Sequence, residues 1–155
     1  MKFKLLNAVL RLYESNVRIL HWNSAGEEFN DGHKSITEEY YEMFAEVIDQ
    51  ISEIMAIFDI LPPNYIEVWE LIKDTDKTYL VVESDKLYTR ADVIRIMQVM
   101  FRDIIDLLKD VLEDYTFEDT INAGIKSELE NILYKFTFQY GYINKRRGVA
   151  VVKED

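Results

Sequence analysis

Between Phe3 and Ile143 the apolar residues recur at three- and four-residue steps in four stretches, separated by two short breaks and one long one. That arrangement constrains the fold more than any single motif, because each stretch must bury one face of a helix against the others. The first stretch runs from about Phe3 to Trp22 and carries Leu6, Val9, Leu10, Tyr13, Val17 and Leu20. Gly26 interrupts it, and "EEFNDG" reads as a turn. The second runs from Asp31 or Ser35 to Leu61. Asp31 is a candidate N-cap, Ser35 with Glu38 fits a capping box, and Pro62-Pro63 ends the helix. Residues 62 to about 88 form the long connection, with a short amphipathic piece, "YIEVWELI", and a β-prone patch, "TYLVV". Thr89 with Asp92 marks the next helix start, ahead of Val93, Met97, Met100, Phe101, Ile104, Leu108 and Val111. The fourth stretch opens near Asp119 or Thr120 and carries Ile125, Leu129, Ile132, Leu133, Phe136, Tyr140 and Ile143. Two helices, a long crossover and two more helices predict one all-α domain over residues 1–155. Its topology is a ferritin-like four-helix bundle, with a short helix in the crossover between helices 2 and 3.

At 155 residues the chain is long enough for one substantial core. A formal charge of −11 argues against nucleic acid and suits cations. With no cysteine there is neither a disulfide framework nor a thiolate metal site. The opening "MKFKLLNAVLRLYESN" lacks a long apolar core and a cleavage signal, and no run approaches the ~18 apolar residues of a membrane span. These features predict a soluble, cytoplasmic protein with no membrane partner.

Both histidines fall in one stretch, "HWNSAGEEFNDGH", from His21 to His33. Two imidazoles on either side of a turn are either ordinary packing residues or halves of a metal site. On the second helix, Ile36, Tyr40, Met43, Phe44, Val47, Ile51, Ile54 and Phe58 form an apolar stripe. Glu38, Glu42, Glu46, Asp49 and Glu53 form a second stripe, with Asp49 almost opposite the first, so these acids point out of the bundle. Glu-x-x-His, the inward-facing motif of di-iron bundles, is absent from the sequence. Asp49 and Glu53 stand one turn apart, so both carboxylates can reach a shared cation. Tyr41, Ala45 and Ile48 flank the acids, which predicts that this outward face packs against something.

These residues resemble the signature of the Dps family of mini-ferritins. There a His-Trp-Asn closes the first helix, Gly and Phe follow, and a second His comes twelve residues after the first; here these are His21, Trp22, Asn23, Gly26, Phe29 and His33. Asp49 and Glu53 resemble the family's acidic pair, and "DTINAGIKSELENILYKFTFQYGYI" resembles its last helix. The resemblance implies a homo-oligomer, a hollow dodecamer, with iron-oxidation centres between subunits. One subunit would give His21, His33 and an acid, and its two-fold mate would give Asp49 and Glu53. The implied chemistry is oxidation of Fe(II) by hydrogen peroxide or oxygen, with ferric mineral stored inside. Iron is the implied metal, with zinc or manganese as possible occupants. Trp22 would sit beside the metal, or else simply anchor the helix end.

The sequence departs from the family pattern after His33. The acid expected four residues on is replaced by Thr37, and the spacing from His33 to Asp49 is one residue too long. One inserted residue would explain both and put Glu38 in the acid's place; otherwise the site is degenerate, and the chain is a ferritin-like structural or interaction protein. Glu113, Asp114, Glu118 and Asp119 lie where the family lines its iron-entry pores, although Glu118 and Asp119 also suit an ordinary helix start. The terminal "NKRRGVAVVKED" has three consecutive cations but ends acidic, which argues against direct DNA binding.

Overall fold

The computed structural model describes residues 2–115, 117 and 120–147. Helix α1 spans Lys2–Trp22. A π-helical segment, Asp31–Glu38, runs without interruption into α2, Glu39–Ile57. The short α3, Tyr65–Lys73, lies in the crossover, followed by α4, Arg90–Asp114. Helix α5 spans Thr120–Tyr142 and closes in a second π-helical turn, Ile143–Arg147. This is the all-α bundle with a helix-bearing crossover that the periodicity predicts.

Side-chain pairs fix the helix directions. Asn7 reaches Ser52 near one end of the α1–α2 pair, and His21 stacks on His33 at the other, so α1 and α2 are antiparallel. Lys2 pairs with Asp114 and Tyr13 with Asp103, so α1 and α4 are also antiparallel. Tyr40 meets Gln139 and Phe44 meets Phe136, which sets α5 antiparallel to α2. Helices α2 and α4 therefore run in the same direction, and only a crossover the length of the bundle can connect them. The core stripes of α2, α4 and α5 meet at Phe101, which packs against Tyr40, Phe44 and Phe136 at centroid distances of 4.9, 6.1 and 5.7 Å.

The crossover is fastened by buried polar side chains. The Asn16 amide donates to the Leu80 carbonyl at 2.8 Å and accepts from the Val82 N–H at 3.1 Å, filling the role of a neighbouring strand. Tyr13 donates to Asp103, which also takes Lys77 Nζ at 2.6 Å. "TYLVV" is thus an extended strap, with Tyr79 and Val82 buried against the bundle. Capping boxes open α3 at Asn64 and α4 at Thr89, the latter as the sequence predicts.

Two local expectations are corrected. Helix α2 stops at Ile57, four residues short of Leu61 and before the prolines can act. Asp59 adopts φ 55°, and the Ile60 and Asp59 N–H groups turn back to the carbonyls of Met55 and Ala56 at 2.9 and 3.1 Å. This Schellman arrangement satisfies the orphan carbonyls with aspartate in the left-handed position that glycine usually takes. Upstream, neither Asp31 nor Ser35 caps the helix. Residues 29 and 30 are already helical, Asn30 makes no side-chain cap, and the Asp31 carboxylate pairs with Arg90 at 2.5 Å.

Candidate metal centre

The turn between the two histidines is shaped by backbone that most side chains resist. Gly26 sits at φ 87° and Glu28 at φ 59°, and Arg90 draws in both Asp31 and Glu28. Asn23 and Ala25 exchange backbone bonds with Tyr88, each 2.9 Å long, so the loop is anchored to the start of α4. The anchored loop returns the chain so that His33 lands on His21, with rings 3.9 Å apart and 11° from parallel.

The two histidines clasp each other through the main chain. His21 Nδ1 lies 2.6 Å from the His33 carbonyl, and His33 Nδ1 lies 2.8 Å from the His21 carbonyl. A carbonyl oxygen can only accept, so each Nδ1 carries the proton and donates. In the neutral ring Nε2 is then the nitrogen without a proton, and its lone pair can bind a metal ion. Phe29 stacks on the outer face of His33 at 4.9 Å, Tyr41 meets His21 edge-on at 5.3 Å, and the Arg18 guanidinium lies 4.8 Å from the Tyr41 ring centre. The rings are held from both sides.

Residues 31–38 are wound as a π-helix, whose bonds close one residue later than those of an α-helix. This wide turn is where an extra residue after His33 would be taken up without disturbing the register of α2. Thr37 is fully buried in it: its hydroxyl donates to the His33 carbonyl at 2.7 Å and lies 2.9 Å from His21 Nδ1. The sequence marks Thr37 only as a missing acid. Its spacing of four from His33, which permits a back-bond to that carbonyl, was the available signal for its role. Glu38, partly buried, is the last residue of the wide turn.

Asp49 and Glu53 are exposed, one turn apart, on the side of α2 away from the core, as the helical wheel predicts. They lie sixteen and twenty residues beyond His33, roughly 20 Å or more along the helix. Within one chain, then, the imidazoles and this acidic pair are far apart. Among the described residues no three of the His, Asp and Glu side chains are grouped to hold a metal ion. The flanking face is partly satisfied from within: Tyr41 and Ile48 pack against the core, while Ala45 stays exposed. Trp22, at the end of α1, is 66% exposed. Of the pore candidates, Glu113 is exposed and Asp114 pairs with Lys2 at 3.1 Å; Glu118 and Asp119 lie outside the described residues.

Several solved structures share this arrangement of helices. The Helicobacter cinaedi CAIP structure matches with a TM-score of 0.75 at 17% identity, over 92% of this chain and 94% of that one. Dps92 from Deinococcus radiodurans gives 0.73 at 15% identity, over 93% and 84%. The chain has a Dps-like fold. The Dps protein of Vibrio cholerae O1 matches at 0.72 and 18% identity, over 92% and 84%, and is described as a member of a broad superfamily of ferritin-like diiron-carboxylate proteins. No protein-family model matches the sequence, and no curated protein matches it. This Dps-like bundle has no helix among its described residues long and apolar enough to cross a membrane.

Proposed function

We propose that this Dps-like chain forms a homo-oligomer that oxidises Fe(II) at sites shared between two-fold related subunits and stores the ferric product in a hollow shell. The observation that carries this reading is the His21–His33 clasp, which commits both Nδ1 protons to main-chain carbonyls and leaves both Nε2 lone pairs for a metal. Nitrogen from imidazole and oxygen from carboxylate together suit iron. The exposed Asp49 and Glu53 supply the oxygen donors, and their distance from the histidines in one chain is what a site completed by a second copy requires. A partner α2 running antiparallel would bring its own acidic pair to the histidine end. Glu38 would add a ligand from the histidine side, with Trp22 beside the metal, and Glu113, Asp114, Glu118 and Asp119 would draw cations toward entry pores. Leu61, Tyr65 and Ile66, exposed on and just before α3, offer apolar surface for assembly into the twelve-subunit shell.

Iron is the substrate here. Two Fe(II) ions give one electron each to hydrogen peroxide, which takes up two protons and leaves as two waters. A shared site that held two such ions together would deliver both electrons at once and release no hydroxyl radical. A cytoplasmic location follows from this role in handling iron and peroxide.

One observation favours a second reading, a ferritin-like interaction protein whose site no longer turns over. Thr37, where the family pattern places an acid, is buried and bonded to the histidines and so supplies no ligand. Fe(II) oxidation by hydrogen peroxide separates the two readings. Parent protein is compared with His21→Ala/His33→Ala, and light scattering reports the size of both. Fast oxidation by a large assembly, lost in the variant with its size unchanged, supports the iron site. Background-rate oxidation by the parent supports the scaffold.

A further inference from the structure

The Thr37 hydroxyl has a single hydrogen, and its geometry spends that hydrogen on the His33 carbonyl, 2.7 Å away. Toward His21 Nδ1, 2.9 Å away, the same oxygen can then only accept. The His21 N–H is therefore shared between two acceptors, the His33 carbonyl at 2.6 Å and the Thr37 oxygen. The opposite tautomer, with the proton on Nε2, would face the Nδ1 lone pair against the carbonyl lone pair and require Thr37 to give up His33. The four-residue spacing makes the bond from Thr37 to the His33 carbonyl possible. Ser52 makes the same four-residue back-bond to the Ile48 carbonyl within α2.

We infer that Thr37 is a positioning residue: its hydroxyl, donating to the His33 carbonyl and accepting from His21 Nδ1, ties the His21 ring to His33 and holds the orientation in which Nε2 is free. This inference rests on the reading of the two histidines as metal ligands. Thr37 touches neither iron nor oxidant. It acts through the orientation of His21, as partners of metal-bound histidines do, and removing such a partner weakens metal binding by about 10–100-fold.

Thr37→Val keeps the shape and deletes the hydroxyl, while Thr37→Ser keeps the hydroxyl. The first readout needs no metal. With only two histidines in the chain, ¹⁵N-histidine labelling gives two residues' signals, readable by solid-state NMR whatever the size of the assembly. The parent and Thr37→Ser are expected to show the His21 Nδ1–H shared between two acceptors, and Thr37→Val to show a shifted Nδ1 signal from an N–H left with the His33 carbonyl alone. Zn²⁺ titration is expected to give a dissociation constant about 10–100-fold weaker for Thr37→Val and near parental for Thr37→Ser. An unchanged His21 spectrum in Thr37→Val overturns the inference, as does a Zn²⁺ affinity that stays within twofold of the parent. If the parent fails to bind Zn²⁺ while the His21 Nδ1 signal still shifts in Thr37→Val, the positioning role stands and the metal-site reading falls.

Discussion

Tyr13→Phe should cost about 2 kcal/mol, because it removes one of the two donors holding a buried carboxylate. Asp103 is 8% exposed, and its partners are the Tyr13 hydroxyl from α1 and Lys77 Nζ, 2.6 Å away, from the crossover. A hydrogen bond to a charged group contributes about 1.5–3 kcal/mol, and the Tyr13 ring itself stays in place as phenylalanine. The Leu80 N–H, 3.4 Å from the Tyr13 oxygen, loses little. Lys77→Met should cost less, about 1 kcal/mol, because the lysine is half exposed and its pairing is screened by solvent. The two together leave a buried charge with no donor, a situation worth about 3–5 kcal/mol, so the double variant should exceed the sum of the singles. Urea unfolding of all four proteins at one fixed protomer concentration measures the cycle, since assembly also contributes to stability. Hydrogen exchange should show residues 77–82 loosening first, because this network holds the strap to the bundle. A loss below about 0.5 kcal/mol for Tyr13→Phe, or strictly additive singles, would refute the reasoning.

Other consequences are equally specific. Asp59→Gly should raise stability by up to about 1 kcal/mol, because the residue holds φ 55° in the turn that ends α2; a lower urea midpoint would show that the aspartate side chain matters there. Phe101→Ala should lose about 3–5 kcal/mol, because the ring is fully buried among Tyr40, Phe44 and Phe136; thermal unfolding reads this out. Burial pushes the phenols of Tyr13, Tyr79 and Tyr88 above their usual value, and Asp103 adds to the effect at Tyr13. In the unfolded chain these groups ionise near pH 10, while in the fold they keep their protons. Stability should therefore be flat up to about pH 10 and fall above it, at up to about 1.4 kcal/mol per pH unit for each retained proton. Chemical unfolding at a series of pH values, with phenolate absorbance followed in parallel, checks both the sign and the onset.

The architecture was legible because it rests on periodicity. Leu6, Tyr13, Phe44, Phe101 and Phe136 are buried where three- and four-residue spacing puts them, and the outward direction of Asp49 and Glu53 follows from the same wheel. Helix ends were less legible, since competing local chemistry decides them. At Asp59 a left-handed turn acted before Pro62 could, and at Asp31 an ion pair with Arg90, fifty-nine residues away, took the side chain that would have capped a helix. The π-turn was visible only indirectly, as a spacing one residue too long. A change in winding leaves no mark on composition, and no helical wheel drawn at a fixed 100° shows it. Nor could the sequence announce the clasp. The spacing of His21 and His33 permits it, but the reciprocal Nδ1 bonds depend on Gly26, Glu28 and Arg90 together closing the loop.

The central claim is that each iron site takes its histidines from one subunit and its acidic pair from another, and mixing two inactive variants tests it most directly. His21→Ala/His33→Ala keeps the acids, and Asp49→Ala/Glu53→Ala keeps the histidines. In a mixed pair one of the two shared sites receives both intact halves. Refolded together in equal amounts, random pairing should restore about one quarter of the parent's rate of Fe(II) oxidation by hydrogen peroxide. The same variants refolded separately and then combined should restore none. A co-refolded mixture no more active than the separate ones, or full activity in either variant alone, would contradict a site divided between subunits.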